Sequence, residues 1–188
     1  MSLAERFVDN FTETWPIWLV TVTLVVAATI DGIKLKVPNW LTFPMIVSGW
    51  CYSGLFFGWE GLGWSIVGTV VGLALLLPAY AIGGMGAGDV KLLAGVGAWT
   101  GGTVTFYAFC VSAIIGAVLA VLMVLWSGRW RHHWSQMQVI AGEIVTIRDP
   151  DTLSTIAAER KPRMMLLPYG IPIALGTISY FAWSGMLL

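Results

Sequence analysis

Two carboxylates stand where apolar runs end. Asp31 follows an uncharged run of 17 residues, 14–30, and Asp89 follows one of 28, 61–88. An acid beside so long an apolar stretch is costly to keep near hydrocarbon, which makes it a functional candidate by default. Asp89 also follows Gly83, Gly84, Gly86 and Gly88. Glycine lets a backbone or a substrate come close and permits positive φ. A helix starting there would favour an ionised Asp at its N-terminus. If the two carboxylates meet, they can share one proton, because like charges a few ångströms apart cannot both ionise. The ionised member can then activate water while the protonated one polarises a carbonyl, which is aspartic proteolysis. The plainer reading makes Asp89 a helix cap and pairs Asp31 with Lys34 or Lys91. Spacing alone leaves both open.

Other chemistries lack their parts. The sequence has no G-x-S-x-G and no H-E-x-x-H. His132 and His133 are adjacent and have no third ligand at metal spacing. Cys51 and Cys110 form no CxxC pattern and read as small apolar residues inside helices. No metal and no cofactor is expected.

The elements that would carry the acids follow from composition. Of 188 residues, 57% are hydrophobic and 11% charged, and 11 are Trp; mean hydropathy is +0.81. A soluble domain carries about 25% charged residues. Three more uncharged runs cover 37–59, 92–128 and 164–188, and a bilayer takes roughly 20 apolar residues per helix. These features exclude a soluble enzyme and a nucleic-acid module. They predict a single all-α, polytopic membrane domain over 1–188 with lipid around it and about six transmembrane helices.

The expected helices are Trp15 to Lys34, with Pro16 in the first turn; Asn39, as cap, to Gly58; Leu62 to Ile82; a short one from Asp89 to Trp99; Thr103 to Trp126; and Met164 to Leu187. The Gly-rich turn then opens the fourth, which at 11 residues covers only about 17 Å. Residues 127–163 read as a polar loop with an interfacial helix carrying Trp134, Met137, Ile140, Ile144 and Ile147, closed by a turn over Arg148–Asp151. Six spans with the N-terminus outside put nine of the ten basic residues on one side: Lys34, Lys36, Lys91 and the six between Arg129 and Arg163. The positive-inside rule makes that side, and both aspartates with it, cytoplasmic. The acidic segment before the first run, with Glu5, Asp9 and Glu13 against Arg6, argues against a cleaved signal.

Three segments, in order, carry a resemblance. Gly83-Gly84-Met85-Gly86-Ala87-Gly88-Asp89-Val90-Lys91-Leu92-Leu93-Ala94, continued by Gly97-Ala98-Trp99-Thr100-Gly101, resembles the GxGD segment of type IV prepilin peptidases. Asp31 followed by Val37-Pro38-Asn39-Trp40-Leu41 resembles that family's first catalytic Asp and its I-P-N-x-L. Pro168-Tyr169-Gly170-Ile171-Pro172 resembles its C-terminal P-[FY]-G segment. The resemblance implies a bacterial inner-membrane aspartic endopeptidase that cuts basic leaders from prepilins or pseudopilins, after a Gly, at the cytoplasmic face. It implies Asp31 and Asp89 as catalytic. Gly86, Gly88, Lys91, Pro38, Asn39, Pro168, Tyr169 and Gly170 become candidates for holding substrate or site. Pilus or secretion machinery would be an indirect partner.

Larger members of that family carry a tetracysteine zinc segment and also N-methylate. With 13 residues before the first run and no Cys pair among them, this chain resembles the short peptidase-only members that process Flp or tight-adherence pilins. Lys34 and Lys36 stand where Arg is expected.

Three other readings stay on the table. A presenilin-type protease shares only Gly86–Asp89 and would want Tyr before Asp31, where Ile30 stands, and P-A-L near the C-terminus. A proton-coupled transporter or channel subunit would want acids at mid-membrane. A catalytically idle assembly factor would have no need of both aspartates.

Overall fold

A computed structural model describes residues 3–81, 84–127 and 167–187, with side chains from residue 14, and isolated positions between 135 and 156. Most of the expected interfacial helix, His132, His133, Gly83 and all of the turn over 148–151 except Asp149 lie outside the described residues.

The chain is all-α. Helix α1 spans Leu3–Lys34. The stretch Asn39–Ala81 is broken at Gly58 into α2 (39–57) and α3 (59–81). Ala87–Trp126 is broken at Gly101 into α4 (87–100) and α5 (102–126). Helix α6 spans Gly170–Trp183. Three stretches are long and apolar enough to cross a membrane: Thr14–Lys34, Asn39–Ala81 and Ala87–Trp126.

Both glycine breaks reverse the chain. Gly58 (φ 65°, ψ −154°) and Gly101 (φ 77°, ψ 173°) lie in a region essentially closed to residues with a Cβ. Across Gly58, the Trp50 indole N–H donates to Thr69 Oγ1 at 2.9 Å. Nineteen residues of unbroken helix would hold them nearly 30 Å apart, at about 1.5 Å per residue. Across Gly101, Met85 lines one cavity with Ser112 and Gly116, so α5 runs back along α4.

Several boundaries differ from the sequence expectation. Helix α1 starts at Leu3, so Pro16 lies inside it rather than in its first turn. Helix α4 starts at Ala87 and reaches Thr100, giving the short segment three more residues than expected. Helix α6 starts only at Gly170 and ends at Trp183, because Leu167 and Pro168 are not helical and the Pro168 carbonyl accepts from the Ile171 amide to open the helix. Asn39 does not cap α2 with its side chain. The Pro38 carbonyl accepts from the Leu41 and Thr42 amides there, and Asn39 Oδ1 is used elsewhere.

Helix α4 is the centre of the bundle. Every residue from Leu92 to Ala98 is buried. Small residues let its neighbours come close: a Cβ on Gly68 would run into the Gly97 carbonyl, one on Gly72 into the Leu93 carbonyl at 2.6 Å, and one on Gly49 into Ala98 at 2.8 Å. The outer surface is the reverse, with Leu55, Phe56, Ile114, Val118, Leu122 and Trp126 exposed. So broad an apolar surface calls for lipid rather than water.

The helices alternate in direction. Trp15 of α1 packs edge-on against Tyr52 of α2 and Trp99 of α4, beside the two glycine breaks. Asp31, at the other end of α1, shares a cavity with the start of α4.

Candidate active site

That cavity, about 360 Å³, is built from four chain segments. The end of α1 brings Asp31, and the link to α2 brings Leu35, Lys36 and Val37. The Gly-rich turn and the start of α4 bring Gly84 to Asp89, and Lys91. The entry to α6 brings Leu167 and Tyr169. Asp31 and Asp89 are separated by 58 positions in sequence and both line this one space. Each is buried, at 3% and 6% exposed.

Each carboxylate is held by a backbone amide. The Gly170 N–H donates to Asp31 Oδ2 at 2.7 Å. The Gly86 N–H donates to Asp89 Oδ2 at 3.1 Å, and the Asp89 N–H returns a bond to the Gly86 carbonyl at 3.2 Å. The first of these is half of a capping box, the N3 carboxylate reaching back to the N-cap amide; glycine has no side chain for the other half, and the second bond is a backbone turn. Asp89 therefore does cap α4, as the plainer reading holds, and lines the cavity as well. Amide donors at a helix start also suit its negative charge. Asp31 takes its hydrogen bond from Gly170 rather than from Lys34 or Lys91.

The glycines serve close approach, not turning. Among the described glycines, positive φ falls on Gly58, Gly101 and Gly185, while Gly86 is ordinarily extended (φ −86°, ψ 148°). A Cβ on Gly88 would collide with the Val37 carbonyl; on Gly170 it would stand 2.9 Å from Asp31 Oδ2; on Gly86, 3.2 Å from Asp89 Oδ2. Gly88 thus locks the α1–α2 link onto α4, and Gly170 lets its own amide reach Asp31.

Lys91 and Asn39 meet at the rim. Lys91 Nζ donates to Asn39 Oδ1 at 3.0 Å and lies 4.6 Å from the centre of the Phe43 ring, a cation–π contact. Tyr169, just ahead of α6, has its phenol pushed above the usual range, by burial first and by the negative charge of Asp89 second. The hydroxyl stays protonated and can donate. Pro38 and Pro168 do not line the cavity; each directly precedes a residue that does, Asn39 and Tyr169.

Sequence reasoning did not find Leu35, Val37 or Met85 in the wall. Leu35 has positive φ (51°), and its amide closes α1 on the Asp31 carbonyl at 2.8 Å. A leucine gives no signal for that conformation, where glycine is usual.

Comparison with known proteins identifies a family. Residues 18–121, more than half of the chain, match the model of the type IV leader peptidase family. The prepilin leader peptidase/N-methyltransferase of Aeromonas salmonicida is 32% identical over 125 residues, 63% of this chain and 42% of its own. Proteins of the same name from Neisseria gonorrhoeae and Pseudomonas aeruginosa are 34% and 31% identical over 122 and 126 residues, covering 59% and 61% of this chain and 41% and 42% of theirs. The match thus spans about two fifths of the relatives' length. No solved structure gives a significant match. With residues 18–121 matched, more than half of its length, the chain belongs to the type IV leader peptidase family.

Proposed function

We propose that this chain is an aspartic endopeptidase that removes the basic leader from a prepilin or pseudopilin at the cytoplasmic face of the bacterial inner membrane. One observation carries the reading: Asp31 and Asp89, far apart in sequence and both buried, line one cavity. Its support is the family match and the names of the relatives.

In this mechanism the two carboxylates hold one proton between them. The ionised one takes a proton from water as that water attacks the scissile carbonyl. The protonated one donates to the carbonyl oxygen, where negative charge develops. The tetrahedral intermediate then collapses: the C–N bond breaks and the new amine takes up a proton. The Gly170 and Gly86 amides fix the planes of the two carboxylates. Tyr169, in the wall of the same cavity, would donate its hydroxyl to the bound substrate. The rim cations Lys36 and Lys91 sit at this end of the bundle, as an inward-facing end requires.

The test is direct. The chain is reconstituted in phospholipid vesicles with a fusion protein whose short basic leader ends in Gly before an apolar helix. Mass spectrometry should find a cut after that Gly, and an intact fusion would overturn the proposal. Orientation is read by cysteine labelling in a background without Cys51 and Cys110. Glu60→Cys and Thr103→Cys should react with an impermeant reagent in intact spheroplasts, and Lys36→Cys only after lysis.

A further inference from the structure

A second cavity adjoins the aspartate cavity. A space of about 330 Å³ shares Met85, Leu167 and Tyr169 with it as common wall. From there it follows α5 past Ala117 and Ala113 to Phe109, with Pro172 of α6 opposite. Since α5 runs from Gly101 back toward the aspartates, Phe109 marks the deeper end and Tyr169 the shallow one.

Its chemistry differs from that of its neighbour. None of its lining residues is charged. The Ser112 hydroxyl is already committed to the carbonyls of Ala108 at 2.7 Å and Ile173 at 3.3 Å. Small residues make the room. Gly116 sits against Pro172, where a Cβ would stand 3.4 Å from the ring, and Ala113 and Ala117 present only methyl groups. The volume exceeds that of one leucine or phenylalanine side chain. An apolar slot beside a polar reacting centre, sharing lining residues with it, is the form of a specificity pocket.

We propose that this slot receives a bulky apolar side chain from the first helical turn of the substrate beyond the bond that is cut. The inference rests on the peptidase reading above. A chain whose scissile bond lies at Asp31 and Asp89, and which then continues into the membrane, passes the shared wall at Met85 and Tyr169. Its next side chains meet this slot. The enzyme would then read an apolar residue after the cut as well as the leader before it.

The probe is the same fusion protein with Leu at the four positions after the leader's Gly, and four versions with one Leu changed to Ala. At one position, Leu→Ala should lower kcat/KM about tenfold or more, the usual scale for a missing apolar group in a fitted pocket. Ala117→Trp fills the slot and should bring the Leu-to-Ala ratio at that position close to one; Ala113→Leu is the second filling variant should the first fail to accumulate. The wild-type scan alone decides the matter if neither does. Equal cleavage of all five fusions would overturn the slot while leaving the peptidase standing. A filling variant that slows every fusion alike would assign the space to a lipid chain and overturn it too. Failure of the wild-type chain to cut any fusion would instead remove the peptidase reading, and this inference with it.

Discussion

The two ends of the bundle hold similar parts and use them differently. Each has glycines, a cavity and acid. At the far end, Gly58 and Gly101 stand beside a cavity of about 490 Å³, whose lining includes Glu60, Trp64 and Trp99. This is the larger of the two spaces. Yet Glu60 is exposed, and both glycines have positive φ with nothing within 4 Å of where a Cβ would go. Glycine is needed there for its dihedral angles alone. At the aspartate end the conformation of Gly86 is ordinary, and space is what is scarce: Gly86, Gly88 and Gly170 each put a missing Cβ against a carboxylate or a carbonyl. The lesson is that burial and close approach, rather than cavity size or glycine content, separate a site from a turn.

The largest break in this comparison should come from the acids. Asp31→Asn and Asp89→Asn keep the shape and remove the shared proton. Cleavage of the fusion protein should fall by roughly 10²–10⁴-fold, the scale of general acid–base catalysis, while the protein still accumulates in the membrane. The wild-type rate should be bell-shaped in pH, with two apparent pKa values that belong to the pair. An Asn variant cutting at near wild-type rate would end the assignment.

Next come the crowded glycines. Gly88→Val must displace the Val37 carbonyl, which is backbone and cannot swing aside. Gly170→Ala pushes on the Asp31 carboxylate that its own amide holds. A misplacement of about 1 Å costs on the order of 10²-fold in rate. We expect a loss of that size for Gly170→Ala, a larger one for Gly88→Val, and a smaller one for Gly86→Ala, whose contact is looser. The readout is kcat at saturating fusion protein.

How much of this the residues announce by themselves depends on range. The two acids were legible because a carboxylate at the edge of an apolar run is expensive wherever the chain folds. The break near Gly58 was legible from Glu60 and the glycines around it between two apolar runs, and the break near Gly101 because the run 92–128 was too long for one span. The contact of Val37 with Gly88 and the bond from Gly170 to Asp31 were not, since both are made by backbone atoms and depend on how α1, α4 and α6 meet. Asn39 misled for the same reason. Local rules suggest a cap, while tertiary packing brings Lys91 within 3.0 Å and takes the side chain for itself. The apolar slot along α5 could not be read at all, because Ala113 and Ala117 form a wall only once Pro172 and Met85 stand opposite them.

The far-end glycines should give a smaller effect of another kind. Gly58→Ala and Gly101→Ala force a Cβ into a backbone region where it costs about 1–3 kcal/mol. The expected result is a lower thermal unfolding midpoint in detergent, with the rate per folded molecule unchanged. Loss of rate without loss of stability would mean that the hinges, and not only the aspartate end, take part in the reaction.

The smallest effect should come from the remaining acid of the comparison. Glu60 lies in the first turn of α3, just after the Gly58 break, exposed and on the rim of the larger cavity. An exposed carboxylate in water gains little from its surroundings, so removing its charge leaves no buried group stranded. Surface changes of this sort usually stay within about 0.5 kcal/mol. Glu60→Gln should therefore leave the unfolding midpoint where it was and the cleavage rate within about twofold, against the orders of magnitude expected at Asp31 and Asp89. The substitution is the same in kind at all three positions, carboxylate to amide, so the spread among them measures what burial adds to the chemistry. A tenfold loss at Glu60 would show that a carboxylate with no burial can still govern the reaction, and the distinction drawn here between the two ends of the bundle would fail.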